Sequence, residues 1–200
     1  EIKSSHQRPQ DLTEVGLEAL LNFDLEITTV SKKKQKLSEV ASAVYIVTQE
    51  DIRRSGATHI AEVLRMVPGL NVARFDSNRW AISARGFNQQ FTNKLLVLKD
   101  GQRIFNPIFN GVFWEIHELV LEDIERVEVI RGPGAAIWGS NAVNGVINII
   151  TKHTKDTQGA LVSAGSGTEE QGLVSLRYGG ELGEDSKYRV FSRYANRDSN

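Results

Sequence analysis

Between Ile124 and Lys152 the chain reads IERVEVIRGPGAAIWGSNAVNGVINIITK, two β-branched apolar runs joined by small residues. No other stretch restricts the fold as strongly. Runs of this composition are expected to be buried strands. The glycines between them suit either a phosphate-holding turn or close strand packing. A dinucleotide turn needs G-x-G-x-x-G followed by a long helix. Gly132 and Gly134 supply the first pair, but Ile137 stands where the third glycine belongs. Gly139 and Asn141 then interrupt any helical pattern, and Val146 begins another strand. The Gly-Lys-Ser/Thr of a P-loop is absent, and GSGT at Gly165 to Thr168 fails the same test. The glycines are therefore expected to allow tight turns and close backbone contacts.

The rest of the chain mixes short elements. Asp11 to Phe23 suits a short helix capped by Asp11, although Gly16 weakens it. DLEITTVSKKKQK, from Asp24 to Lys36, reads as a flexible extended arm, because β-branched residues precede a lysine run. A lone strand of this kind invites pairing with another chain. AVYIVT predicts a strand, and Thr48 with Asp51 predicts a capping box on a helix ending at Gly56. Ile60, Val63, Leu64 and Val67 predict a second helix that Pro68-Gly69 stops. LNVARF and AISARG predict short strands, and KLLVLKDGQRIF a hairpin turning at Asp100-Gly101. LEDIERVEVIRG predicts a helical turn and then a strand, so this part of the chain is α+β.

The last forty-odd residues alternate apolar and polar in three segments, GALVSAGSG, GLVSLRYGG and KYRVFSRYA. Val174, Leu176 and Tyr178 fall on one face, with Ser175 and Arg177 on the other. Strands of a membrane β-barrel alternate in this way, and so do those of a soluble meander. Three strands cannot close a barrel, so barrel strands here would mean a truncated barrel.

Composition excludes several function classes. A net charge of −1 gives no general reason to expect nucleic acid as a partner. The absence of cysteine removes disulfides, thiolate catalysis and cysteine zinc sites. His6, His59, His117 and His153 lack metal-ligand spacing, so no metal site is expected. No nucleophile–base pair or paired-carboxylate pattern emerges, and Glu122, Asp123, Glu125 and Glu128 read as a solvated acidic turn and strand. No enzyme and no cofactor are expected. No apolar run approaches a membrane-spanning helix. The opening EIKSSHQRPQ lacks the blocks of a signal peptide, so the chain reads as a mature or trimmed product.

The run from Ile124 to Lys152 resembles the end of the plug domain of TonB-dependent outer-membrane receptors. That family shows I-E-R-I-E-V-x-R-G-P, a small-residue turn with Y-G or W-G, and then G-G-V-I-N-I-I-T. Asn144 replaces the first glycine of the last block. VYIVTQEDIRRSGATHIAEVLRMVPGLNV, ISARGFN and LLVLKDGQRI also match the family in order, so the resemblance covers Ser38 to Lys152. It implies a small mixed-sheet plug domain with short helices, followed by a truncated portion of an antiparallel outer-membrane β-barrel. The implied division is 1–37 for a periplasmic arm, 38–153 for the plug and 154–200 for the first barrel strands. In the family the plug fills a barrel of about 22 strands in a Gram-negative outer membrane.

The same resemblance implies roles for particular residues. The TonB box, of the type E-x-x-V-V-T-A, joins a sheet of the TonB periplasmic domain by strand addition. Its closest counterpart is Asp24, Leu25, Glu26, Ile27, Thr28, Thr29, Val30 and Ser31, without the usual alanine and followed by Lys32. Arg85 and Arg131 match plug arginines that latch onto glutamates of the barrel wall. Those partners belong to the C-terminal barrel, so both arginines are expected to be poorly paired in this stretch of chain. Ligand contacts are implied for three loops. The first offers Arg74, Phe75, Asp76, Asn78 and Arg79. The second offers Phe87, Asn88, Gln89, Gln90, Phe91 and Asn93, and the third Phe105, Asn106, Phe109 and Asn110. Aromatic faces with amide groups suit a small-molecule or metal-chelate ligand such as an iron-siderophore, haem or cobalamin. The implied function is the plug of an active transporter. The alternative is a surface receptor or binding module that keeps the fold without transport.

Overall fold

The computed structural model describes residues 26–27, 35–36, 43–86, 88–132, 138–183 and 186–198. The expected helix at Asp11 to Phe23 and the loop 133–137 lie outside them. Strand β1 (Glu26–Ile27) pairs antiparallel with β2 (Gln35–Lys36), so these two residues of the arm are not a lone extended segment. Backbone groups of a strand seek partners, and here they find them within the chain.

Strand β3 (Ala43–Thr48) leads directly into helix α1 (Gln49–Ser55). The capping box is formed: Thr48 Oγ1 accepts from the Asp51 N–H at 3.2 Å, and the Thr48 N–H donates to Asp51 Oδ2 at 2.9 Å. Gly56 ends the helix at φ +69°, a conformation that costs glycine nothing. Helix α2 (Ile60–Val63) is shorter than the apolar spacing predicts and tightens into a 3-10 turn at Leu64–Met66. Val67 is already extended, with ψ 114°, because the ring of Pro68 disfavours helical backbone at the residue before it.

Five strands form the central sheet in the order β3-β8-β9-β6-β7, comprising β6 (Leu95–Lys99), β7 (Gln102–Arg103), β8 (Ile124–Arg131) and β9 (Gly145–Thr151) besides β3. The β6–β9 pairing is parallel and the others are antiparallel. Asp100 and Gly101 turn the β6–β7 hairpin with positive φ at both positions. One sheet face buries Val127, Val129, Ile147 and Ile149 against α1, α2 and the hairpin of β4 (Leu70–Arg74) and β5 (Trp80–Ala84). The other buries Leu96, Leu98, Ile130 and Val146 with Ala142 and Trp138. Cover on both faces is why these strands read as unbroken apolar runs.

The glycine question has a local answer. A side chain at Gly145 would place its Cβ 2.4 Å from the Ile130 carbonyl oxygen across the β8–β9 ladder. Gly132 takes φ +123°, which favours glycine alone. Asn144, the departure from the family pattern, donates from Nδ2 to the Ala84 carbonyl at 2.9 Å and ties the β5 end to β9.

Beyond a 3-10 turn at Thr154–Asp156, the chain forms the meander β10 (Gly159–Gly165), β11 (Glu170–Leu182) and β12 (Ser186–Arg197). Its two faces differ. Val162, Leu176, Tyr178, Val190 and Tyr194 project outward and are exposed. Ser175, Arg177, Arg193 and Arg197 face the rest of the protein and are buried or nearly so.

Candidate functional site

Strand alternation decides the chemistry of the seam between the central sheet and the meander. Arg189, Arg193 and Arg197 are four residues apart on β12, so all three point to the same face. Arg177 joins them from β11, where it pairs in register with Phe191. Opposite them, Glu118 lies in the segment between the 3-10 turns Trp114–Ile116 and Leu121–Asp123, and Asp123 ends the second turn. Arg177 Nη1 donates to Asp123 Oδ1 at 2.8 Å, and Arg189 Nε lies 3.6 Å from Asp123 Oδ2. Arg197 Nη1 donates to Glu118 Oε1 at 2.7 Å, and Arg193 Nε stands 2.9 Å from Glu118 Oε2.

Backbone carbonyls and Glu170 complete this seam. Arg193 also donates to the carbonyls of Leu119 and Thr58, and Arg189 to that of Lys152. Glu170 of β11 accepts from Arg197 Nε at 3.0 Å and from the Thr58 hydroxyl at 2.5 Å. Burial raises the Glu118 pKa, but the hydrogen bond and charge of Arg197, with His59 and Arg193, outweigh it and hold the group below the ordinary carboxylate range. A cavity of about 20 Å³, room for about one water, lies between Asp123, Arg189 and Phe191.

Two of the four acidic residues expected to be solvated are buried, while Glu122 and Glu125 stay partly exposed. Asp123 is 5% exposed within the seam, and Glu128 is fully buried on β8, where it accepts from Arg126 Nε at 2.9 Å. A carboxylate survives burial when cations and hydrogen bonds compensate it. Neither Asp123 nor Glu118 was recognisable as a site residue from local sequence. The readable signal was the row of arginines on the polar face of an alternating strand.

The expected ligand loops form two groups. Phe91, Phe109 and Phe113 make a triad with ring centroids 4.7 to 5.6 Å apart, joining the loop before β6 to the loop after β7. Gly111 lets these loops touch, since a Cβ there would lie 2.7 Å from the Phe91 Cα. Phe109 and Ile108 remain exposed at 51% and 83%. Asn106 serves the turn itself, its Oδ1 accepting from the Ile108 and Phe109 N–H groups. Phe105 is half-buried, Asn93 is half-buried, and Asn110 is exposed with φ +57°. Asn88 and Gln89 are exposed, Gln90 is half-buried, and Phe87 lies outside the described residues.

The β4–β5 turn is a separate group. Arg74 binds Glu169 of the β10–β11 turn at 2.6 Å, and Arg79 lies 3.7 Å from Asp76. Phe75 and Asn78 are both exposed beside them. Asp76 Oδ1 accepts from the Ser77 N–H at 2.6 Å.

Arg85 and Arg131 lie close together. The position of a Cβ on Gly132, the neighbour of Arg131, is 3.8 Å from Arg85 Nη2. Arg85 is exposed with φ +56°, unusual for a residue with a side chain. Arg131 Nη1 donates to the Pro68 carbonyl at 3.0 Å, while its buried Nε has no hydrogen-bond partner among the described residues. Among the described residues neither arginine forms an ion pair. Of the arm residues expected to meet TonB, Glu26 and Ile27 form β1, and Asp24, Leu25, Thr28, Thr29, Val30 and Ser31 lie outside the described residues.

A mixed-sheet body seated on the charged face of a meander whose other face is apolar defines a class, the plug domain joined to barrel-wall strands. The chain belongs to the family described as TonB-dependent Receptor Plug Domain, whose model matches residues 36–146. It is 36% identical over 150 residues to the vitamin B12 transporter BtuB of Vibrio vulnificus, covering 74% of this chain and 24% of that protein. It is 31% identical over 164 residues to its counterpart from Vibrio cholerae, covering 82% and 26%. Among solved structures, the ferripyoverdine receptor of the outer membrane of Pseudomonas aeruginosa shares the fold with a TM-score of 0.68. Identity there is 23%, and coverage 86% of this chain and 22% of that one. The ferric enterobactin receptor of the same organism aligns with a TM-score of 0.58 at 27% identity, covering 80% and 25%. The chain thus spans about a quarter of the relatives it matches.

Proposed function

We propose that this chain is the plug and first wall strands of a TonB-dependent active transporter of the Gram-negative outer membrane, taking up a scarce metal chelate or corrinoid. The observation that carries this reading is the two-faced meander, apolar outward and charged against the plug. A strand sheet with that pattern fits between lipid and a protein-filled lumen. Relatives named as vitamin B12 transporters and ferric-siderophore receptors support the cargo class. No catalysis is involved. Ligand held at the aromatic loops biases the arm toward TonB, a coupling between two sites.

Asp24 to Ser31 is the segment that adds a strand to the TonB domain. Arg85 and Arg131 meet wall glutamates supplied by the remainder of the barrel, because a guanidinium inside the lumen needs a carboxylate partner. The test is uptake of radiolabelled cyanocobalamin, ferric pyoverdine and ferric enterobactin by cells carrying the full-length receptor, with and without TonB. Accumulation of one of them only in the TonB-positive cells is expected. Surface binding equal in both strains, with no accumulation, would replace transport by the passive-receptor reading.

A further inference from the structure

We propose that Glu118 and Asp123 form a latch of reversed polarity, plug carboxylates gripping wall arginines, that holds the 118–123 segment on the first three wall strands. The inference rests on the plug-in-barrel reading above. Each carboxylate is shared by two guanidiniums: Asp123 by Arg177 and Arg189, Glu118 by Arg193 and Arg197. All four arginines expose 15% or less of their side chains, so solvent screens them poorly. Of the described wall residues, Glu170 alone returns a carboxylate to this strip, through Arg197. Four like charges on one face of two neighbouring strands repel in a medium of low dielectric constant. The strip is therefore tolerable only while the plug supplies its two carboxylates.

The contacts join residues 54 to 79 positions apart and run along β12 at intervals of four residues. A single line of attachment results, fixing the 118–123 segment while leaving the β3 edge of the central sheet, where the arm enters, unbound by these pairs. Glu118 and Asp123 are positioning residues for the plug.

The experiment uses the full-length receptor in outer membranes and after purification. Asp123→Asn combined with Glu118→Gln keeps side-chain size but removes both charges. Hydrogen exchange of amides in 119–127 should then rise at least tenfold in the purified protein, and entry of a large hydrophilic antibiotic into cells at least fivefold. Adding Arg177→Asp to Asp123→Arg places an aspartate between two arginines and should restore protection to within threefold of wild type. A role in bulk packing alone predicts no rescue by that swap. Should the double variant fail to insert, Asp123→Asn alone is read by the same exchange measurement. Wild-type exchange rates in the neutral variant, or no rescue by the swap, would overturn the latch. Absence of TonB-dependent uptake by the wild-type receptor, with exchange rising and being rescued as stated, would instead count against the transport reading alone.

Discussion

The His59 imidazole stacks on the Trp80 indole with 5.7 Å between ring centroids and 5° between planes. His59 is 2% exposed, and its Nδ1 accepts from the Ala61 N–H at 3.1 Å, capping α2. Trp80 belongs to the apolar core, and Arg65 and Arg74 lie over its ring at 5.2 and 5.5 Å from the centroid. This stack ties the start of α2 to the β4–β5 hairpin, and Arg74 extends the tie to Glu169 of the β10–β11 turn.

That stack makes stability depend on pH. Burial, against the charge of Glu118 and with those of Arg197 and Arg193, lowers the His59 pKa from 6.5 to about 4. The folded protein therefore prefers neutral His59. Its contribution is complete above pH 6.5 and is lost as pH falls toward 4, an effect of about 3 kcal/mol. Denaturant unfolding of the full-length receptor should show this loss, and His59→Gln should flatten the curve across that window. A slope unchanged in the variant would assign the effect to other groups. Glu118, whose pKa is also depressed, acts at lower pH.

Gly145→Ala should destabilise by about 1–3 kcal/mol, because the new Cβ meets the Ile130 carbonyl oxygen and neither backbone can retreat without breaking the ladder. Gly159→Ala is the comparison. Nothing lies within 4 Å of its Cβ position, so only the φ of +83° resists, at about 1 kcal/mol. Paired melting curves separate contact from strain.

Leu176 projects from β11 on the apolar outward face and is 48% exposed. If that face meets lipid, Leu176→Arg should cost about 2–4 kcal/mol near mid-membrane. Urea titrations of the refolded full-length receptor in lipid vesicles measure this directly. A cost below about 0.5 kcal/mol is what a water-facing surface would give.

Phe109 is the half-exposed member of the aromatic triad. Phe109→Ala should weaken binding of whichever of cyanocobalamin, ferric pyoverdine or ferric enterobactin the full-length receptor takes up. A loss of about threefold to tenfold is expected from one aromatic contact. Unchanged affinity, measured by calorimetry, would remove this loop from the ligand contacts.

Helix N-caps, tight turns and strand alternation depend on neighbours a few residues away, so they were legible. The Thr48–Asp51 box, the Asp100-Gly101 turn and the two-faced β11 all follow local rules. The apolar runs of β6, β8 and β9 were equally plain, because strands covered on both sides must be apolar throughout. Helix α2 marks the limit of such reading. Its apolar spacing continues to Val67, but Pro68 acts one residue back and shortens the helix.

Charge pairing across long separations was not legible. Asp123, Glu125 and Glu128 look alike in a run of acidic residues, yet two are buried and one is partly exposed. What separates them is that Asp123 ends the 3-10 turn before β8 while Glu125 and Glu128 occupy opposite faces of that strand, and which arginine arrives opposite, more than fifty residues later for Asp123. Local sequence can show that a side chain is charged and which way a strand points it. Whether that charge meets water or a guanidinium depends on how distant strands are brought together, because the interaction is set by distance and dielectric environment rather than by position along the chain.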